Sequence, residues 1–428
     1  MDRAKIILLL LCLVLLVCLI AAVLPQPSGE DTSVMASVPA TTPQEGVPSP
    51  TQEELPPPTQ ETEAAVPETT QAPDYIRTLL REMTLREKVG QLFVIRPESL
   101  NLTGEAGNSK TGGYTQLTDA MKDALKEYPV GGIVMFSKNI ESPAQITAFN
   151  ASLQAAVEIP LFICVDEEGG SIARLANHSA FRLPKYKSAA AVGKTGDPKN
   201  ALEMGRSIGT YLASYGFNTD FAPIADVNTN PKNTVIGDRA FSSDPEIAAQ
   251  MASAMAQGLR ESGIIPVFKH FPGHGDTKED SHDGLAVSNK TMEELSACEW
   301  LPFEAAGSGD WVMTGHISLP NVTGSNTPAT MSEQVVTGIL KTQLGFQGLV
   351  ITDSLEMDAI TDLYGSDRAP LEALRAGCDL LLMPIDFTRS FDAVVEAVET
   401  GGLSEARLDA IVERILRFKA QYGLLGVG

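Results

Sequence analysis

IIPVFKHFPGHGDTKEDSHDGL, residues 264 to 285, changes character partway along. Ile264 to Phe268 is an apolar run rich in β-branched and aromatic residues, the kind that forms a strand buried on both faces. It ends in two ionisable residues, Lys269 and His270. Pro272, Gly273 and Gly275 then exclude a helix. Three of the chain's five histidines, His270, His274 and His282, fall in this stretch. A buried strand that hands charged groups to a loop is the repeating unit of a parallel barrel, where chemistry collects at the strand ends.

The same unit recurs on both sides. Strands are expected in KVGQLFVI (88–95), GGIVMF (131–136), PLFICVD (160–166) and FNTDFAPIADV (217–227). Beyond residue 271 they are expected in WVMTGHI (311–317), GLVITDS (348–354) and CDLLLMP (378–384). The 88–95 stretch could instead be the end of a helix. Between them lie amphipathic helical patterns, for example at 118–128, 143–157, 201–216, 245–263, 332–345 and 404–423. Gly216, Gly263, Gly345 and Gly423 stand where helix C-caps belong. Eight strand signals alternating with helices over residues 74–428 predict an α/β fold, a (β/α)8 TIM barrel forming a single catalytic domain. A doubly wound open sheet is the alternative, weakened because no G-x-G-x-x-G follows the first strand.

A barrel places catalytic groups where strands end. Asp166 ends the third strand, Asp226 the fourth, Lys269 and His270 the fifth, His316 the sixth and Asp353 the seventh. Asp353 could be a nucleophile, or it could cap the next helix, since Asp is a favoured N-cap. Asp280 and His282 are two apart, so in an extended segment they share a face. A carboxylate there fixes the imidazole tautomer and favours the protonated ring, which suits a general acid/base near neutral pH. An exposed polar loop is the plainer reading. A buried Lys269 needs anionic or hydroxyl partners. It could hold substrate hydroxyls or pair with Asp226, and His274 could simply stiffen the loop. Pro272, Gly273 and Gly275 also spoil the H-x3-H spacing for zinc, so no metal ligand set is expected. No G-x-S-x-G exists for serine-hydrolase chemistry.

Lys269-His270-Phe-Pro-Gly-His-Gly-Asp-Thr277, followed by Asp280-Ser-His282, resembles the signature of the β-N-acetylglucosaminidases of glycoside hydrolase family 3. Gly237-Asp-Arg-Ala-Phe241 with Asp244-Pro245 resembles a second block. Asp166-Glu-Glu-Gly-Gly170 with Arg174 resembles a third, and Ile351-Thr-Asp-Ser-Leu355 with Met357 a fourth. The resemblance runs over roughly residues 75–425 in the family's order. It implies a retaining mechanism in which Asp353 is the nucleophile and His282, paired with Asp280, is the acid/base. It also implies that Asp166, Arg174, Arg239, Lys269 and His270 bind the sugar in the −1 subsite, and Asp226 and His316, at strand ends in family-like contexts, are expected to bind substrate as well. A β-glucosidase or a β-N-acetylglucosaminide phosphorylase of the same family is the alternative activity. No metal or organic cofactor is implied.

The first 73 residues read differently. Arg3 and Lys5 precede Ile6–Leu24, an unbroken apolar run of nineteen residues, close to the about 20 that a spanning helix needs. Residues 1–24 are therefore expected to be a membrane anchor that sends the rest of the chain outward. A cleaved signal peptide is the alternative, with Ala21-Ala22 as a poor cleavage site. Cys18 suggests a lipoprotein, but Val17 before it is bulky for that processing. Residues 25–73 hold eight carboxylates and no Lys or Arg. That composition predicts a disordered Pro/Thr/Glu-rich linker. A net charge of −22 argues against nucleic acid as a partner. The expected partners are a carbohydrate substrate and, through the N-terminal segment, the membrane; no obligate protein partner is evident. The expected location is extracytoplasmic, tethered or secreted. Five cysteines without a C-x-x-C pair read as buried free thiols.

Overall fold

The computed structural model describes residues 74–104, 107–108, 112–277 and 285–426. The expected anchor, linker and Asp280/His282 loop lie outside the described residues. No helix among the described residues is long and apolar enough to cross a membrane.

Eight parallel strands form the barrel: β1 (Phe93–Ile95), β2 (Gly132–Met135), β3 (Phe162–Val165), β4 (Thr219–Asp220), β5 (Ile265–Phe271), β6 (Trp311–Thr314), β7 (Leu349–Thr352) and β8 (Leu381–Leu382). Each pairs with its neighbour in chain order through β7, and β8 pairs with β1. The seam between β7 and β8 is closed by a parallel bridge from Ile351 to Leu380. Thr352 N–H donates to Leu380 O at 3.0 Å and Leu355 N–H to Leu382 O at 2.9 Å. All eight expected strands are present, and strand residues on both faces are buried, as an all-parallel sheet requires.

Local chemistry sets the boundaries. The expected first strand begins too early, because Thr84 and Glu87 form a capping box that starts a helix at Leu85–Gly90. Only Phe93–Ile95 remains extended. The helices at Pro198–Ser214 and Pro245–Glu261 each start with Pro after an Asp cap. Two residues after each of these helices come Gly216 (φ 82°) and Gly263 (φ 77°), in the left-handed conformation expected of a C-cap glycine. The segment expected to be a helix at 332–345 is one at Gln334–Gln343, with π-type hydrogen bonding.

The barrel interior is packed at its N-terminal end. Phe162 of β3 and Trp311 of β6 are both fully buried, and their rings meet edge-to-face at 4.7 Å. These strands are not neighbours, so the contact crosses the interior. Lys419, from the C-terminal helix Glu405–Gln421, reaches this layer and stands 4.9 Å from the Phe162 ring centroid. Its ammonium donates to Gln91 Oε1 at 2.6 Å and Gly131 O at 3.2 Å. Burial lowers its pKa to about 7. Cys164 and Cys378 are buried free thiols, while Cys298 is half-buried.

Candidate active site

At the other end of the barrel the chain leaves β3 through Asp166, Glu167 and Glu168. Extended backbone sends alternate side chains to opposite sides. Asp166 and Glu168 both line a cavity of about 190 Å³, while Glu167 does not. The Glu167 carboxylate instead accepts from Leu175 N–H and Ala176 N–H, each at 2.8 Å, and from Tyr211 Oη–H at 2.8 Å. Its own N–H donates to Asp220 Oδ1 at 2.9 Å. This buried clamp closes the turn that carries Arg174 back over Asp166. The guanidinium lies 3.3 Å from Asp166 Oδ2 and 5.4 Å from the Phe136 ring centroid.

A chain of alternating charges follows. Lys269 Nζ lies 2.7 Å from Asp166 Oδ1 and 2.7 Å from Glu168 Oε1. Arg239 grips Glu168 bidentately, Nε to Oε2 at 2.9 Å and Nη2 to Oε1 at 2.8 Å. Its Nη1 donates to Val235 O at 2.9 Å. Burial opposes the charge on Glu168, yet Lys269 and Arg239 prevail and bring its pKa down to about 2. Burial also opposes the Lys269 ammonium, but Asp166 and Glu168 hold its pKa above the ordinary value. The cavity is thus wired with fixed charge before any ligand enters.

The strand periodicity alone would put Lys269 and His270 on opposite faces. The β5–β6 register shifts between Lys269 and Phe271, and both side chains line the cavity. The partner of Asp226 is His270: Oδ2 lies 2.7 Å from His270 Nδ1, and both carboxylate oxygens accept from His270 N–H at 3.2 Å. Oδ1 also accepts from His274 N–H at 2.6 Å. His270 and Asp226 therefore form an oriented imidazole–carboxylate pair, and Lys269 takes its carboxylates from Asp166 and Glu168.

Asp353 leaves β7 at the cavity floor. Its N–H donates to Thr314 O at 2.9 Å, and its Oδ1 accepts from Ser354 N–H at 2.7 Å. Burial works against its charge, but His270, His316 and that N–H hold the carboxyl below its ordinary pKa. A carboxyl held in that direction favours the ionised form, the form that nucleophilic attack requires.

Asp166, Arg174, Arg239, Lys269, His270 and Asp353 all line the one cavity. Asp226 and His316 are fully buried behind that lining. Asp280 and His282 lie outside the described residues. Thr277, the last described residue before them, has its hydroxyl 2.7 Å from Nδ1 of the cavity-lining His274. Glu168, which lines the cavity between Lys269 and Arg239, was not singled out from the sequence, although its i, i+2 relation to Asp166 was visible. Met383, just past β8, also lines the cavity with a φ of 45°, the single positive-φ non-glycine among the described residues.

The fold is a (β/α)8 barrel, and its charged cavity lies at the C-terminal ends of the strands. The chain matches "Glycosyl hydrolase family 3 N terminal domain" over residues 84–418 and belongs to glycoside hydrolase family 3. It is 33% identical over 334 residues to beta-hexosaminidase A of Pseudoalteromonas piscicida, covering 72% of this chain and 56% of that one. It is 33% identical over 368 residues to beta-hexosaminidase LpqI of Mycobacterium tuberculosis, covering 83% of this chain and 87% of the relative. Among solved structures, a family 3 β-N-acetylglucosaminidase from Paenibacillus superposes with a TM-score of 0.73 at 36% identity, over 81% of this chain and 64% of that one. The chain thus spans little more than half of the Pseudoalteromonas relative and nearly all of the mycobacterial one.

Proposed function

We propose that this protein is a retaining, exo-acting β-N-acetylglucosaminidase. The observation that carries the reading is Asp353, its carboxyl held below the ordinary pKa and its Oδ1 held by Ser354 N–H, on the floor of a cavity of about 190 Å³ ringed by paired charges. That volume is below the range for drug-sized ligands and suits a single terminal sugar. The relatives' names, beta-hexosaminidase and β-N-acetylglucosaminidase, support the choice of sugar.

In the proposed reaction, Asp353 Oδ2 attacks the anomeric carbon as the glycosidic bond breaks. The bond's electron pair goes to the leaving oxygen, which takes a proton from His282. Asp280 holds the His282 ring. The ring then removes a proton from water, which attacks the glycosyl-enzyme ester, releases the sugar and regenerates the Asp353 carboxylate. Most glycosidases use two carboxylates for this work. Asp166, Arg174, Arg239, Lys269 and His270 hold the sugar hydroxyls, with Asp226 orienting His270. Cell-wall muropeptides or chitin-derived saccharides, met outside the cytoplasm, are the proposed substrates. The apolar N-terminal run and acidic linker support that location.

The test is release of p-nitrophenol from the β-N-acetylglucosaminide and the β-glucoside, with and without phosphate, using Asp353→Ala as the blank. Preference for the N-acetylglucosaminide, independent of phosphate and lost in the variant, is expected. Preference for the glucoside or dependence on phosphate would reassign the activity within the family. His282→Ala should lose far more turnover on a natural disaccharide than on the activated aryl glycoside, which needs little protonation. Equal losses would remove His282 from the acid role and bring forward His270, which already has a carboxylate partner in Asp226.

A further inference from the structure

We infer that His316 is a positioning residue that aims the Asp353 carboxylate, and that it acts without touching the sugar. The inference rests on Asp353 being the nucleophile. His316 follows β6, is fully buried and does not line the cavity. Its Nε2 lies 2.8 Å from Ser354 O. A carbonyl oxygen only accepts, so Nε2 carries a hydrogen. Its Nδ1 lies 3.0 Å from Thr330 Oγ1, and that hydroxyl is within 3.1 Å of both Thr314 O and Gly315 O. Thr330 thus holds the far side of the ring against the end of β6.

The consequence falls on one residue. Ser354 N–H donates to Asp353 Oδ1 at 2.7 Å, while Ser354 C=O accepts from His316. Leu355 N–H, in the peptide plane that begins with that carbonyl, donates to Leu382 O at 2.9 Å. Ser354 is therefore pinned at both ends, and its N–H keeps a fixed direction. Oδ1 is engaged by that N–H, which leaves Oδ2 as the attacking oxygen. Without the Nε2 donor, the Ser354 carbonyl loses the shorter of its two hydrogen bonds and keeps the one from Met357 N–H at 3.2 Å. The backbone on which Oδ1 depends can then turn. A misplacement of about 1 Å at a reacting atom can cost on the order of 100-fold in rate.

The experiment follows covalent labelling of the full-length protein by a fluorinated N-acetylglucosaminyl fluoride. The labelled residue is located by mass spectrometry, and kcat and KM are measured on the aryl N-acetylglucosaminide. In the parent protein the label should fall on Asp353. In His316→Leu, labelling and kcat should drop together by about 10- to 100-fold, with KM changed less than about threefold. His316→Gln keeps an N–H donor on a side chain of similar reach and should recover most of the loss. A raised KM with kcat retained would make His316 a sugar-binding residue and overturn the inference. So would a folded His316→Leu protein that labels at the parent rate. If His316→Leu does not fold, Thr330→Val, which removes the anchor of the ring, decides: an unchanged labelling rate there overturns it. A label away from Asp353 in the parent protein would overturn both this inference and the nucleophile assignment.

Discussion

Two buried lysines mark the two ends of the barrel, and they are held in opposite ways. Lys269, at the C-terminal ends of the strands, sits between Asp166 and Glu168, and its pKa is raised. Lys419, near the N-terminal ends, has the neutral acceptors Gln91 and Gly131 O, the face of Phe162 and no carboxylate in ion-pair contact among the described residues, and burial brings its pKa down to about 7. The same side chain is a fixed cation at one end and a packing element at the other. Burial is equally complete for both, so the partners decide. Charge is retained where a polar ligand is to be met, and is disfavoured where the barrel is merely filled.

The largest effect that could break this contrast is expected at Lys269. Lys269→Met should abolish turnover and destabilise the fold by about 3–5 kcal/mol, because two buried carboxylates lose their shared cation. Urea denaturation at pH 7 measures the second effect. A stability loss below about 1 kcal/mol would mean that Asp166 and Glu168 are not coupled through Lys269. Glu168→Gln should lower kcat/KM by about 10- to 100-fold, through the loosening of Arg239 and Lys269, and should leave the fold intact. Unchanged kinetics would remove Glu168 from the site.

Lys419→Met is expected to act with the opposite sign. It should raise stability at pH 7 by about 1–3 kcal/mol, since an apolar chain of similar length replaces a group that resists burial. A destabilised variant would show that the bonds to Gln91 and Gly131 outweigh desolvation. The smallest effect is the pH dependence. The folded pKa of Lys419, about 7, lies below its ordinary 10.5, so between those values the unfolded chain binds the proton that the folded one refuses. Stability from this group therefore rises with pH across that window, and the penalty is complete below about pH 7. The advantage of Lys419→Met should be constant below pH 7 and shrink toward pH 10.5. A pH-independent gap would place the pKa elsewhere.

The barrel was legible because each buried parallel strand is a compact apolar run bounded by polar residues, as in Phe162–Val165 and Leu349–Thr352. Boundaries were less legible. Residues 88–90 are helical because Thr84 and Glu87 cap them from outside the apolar run. At the site, rim positions could be read from strand ends, but side-chain direction could not. Asp226 and His316 both follow strands, yet they sit behind the lining and act on His270 and Ser354. Direction depends on register and on partners far along the chain. Glu168 reaches Arg239 across 71 residues, and Lys269 reaches Asp166 across 103. Nothing local announces those pairs.

The balance of charge around the cavity has a pharmacological consequence. Among the described residues that line it, Asp166 and Glu168 are paired with Lys269, Arg174 and Arg239, while the Asp353 carboxylate is held by the Ser354 N–H and has no lysine or arginine in ion-pair contact. A sugar passing through an oxocarbenium-like state gains positive charge next to Asp353. Ring-nitrogen inhibitors that are protonated at neutral pH imitate that state and should outcompete neutral lactams of the same shape. Anionic sugar acids should be the poorest of the three.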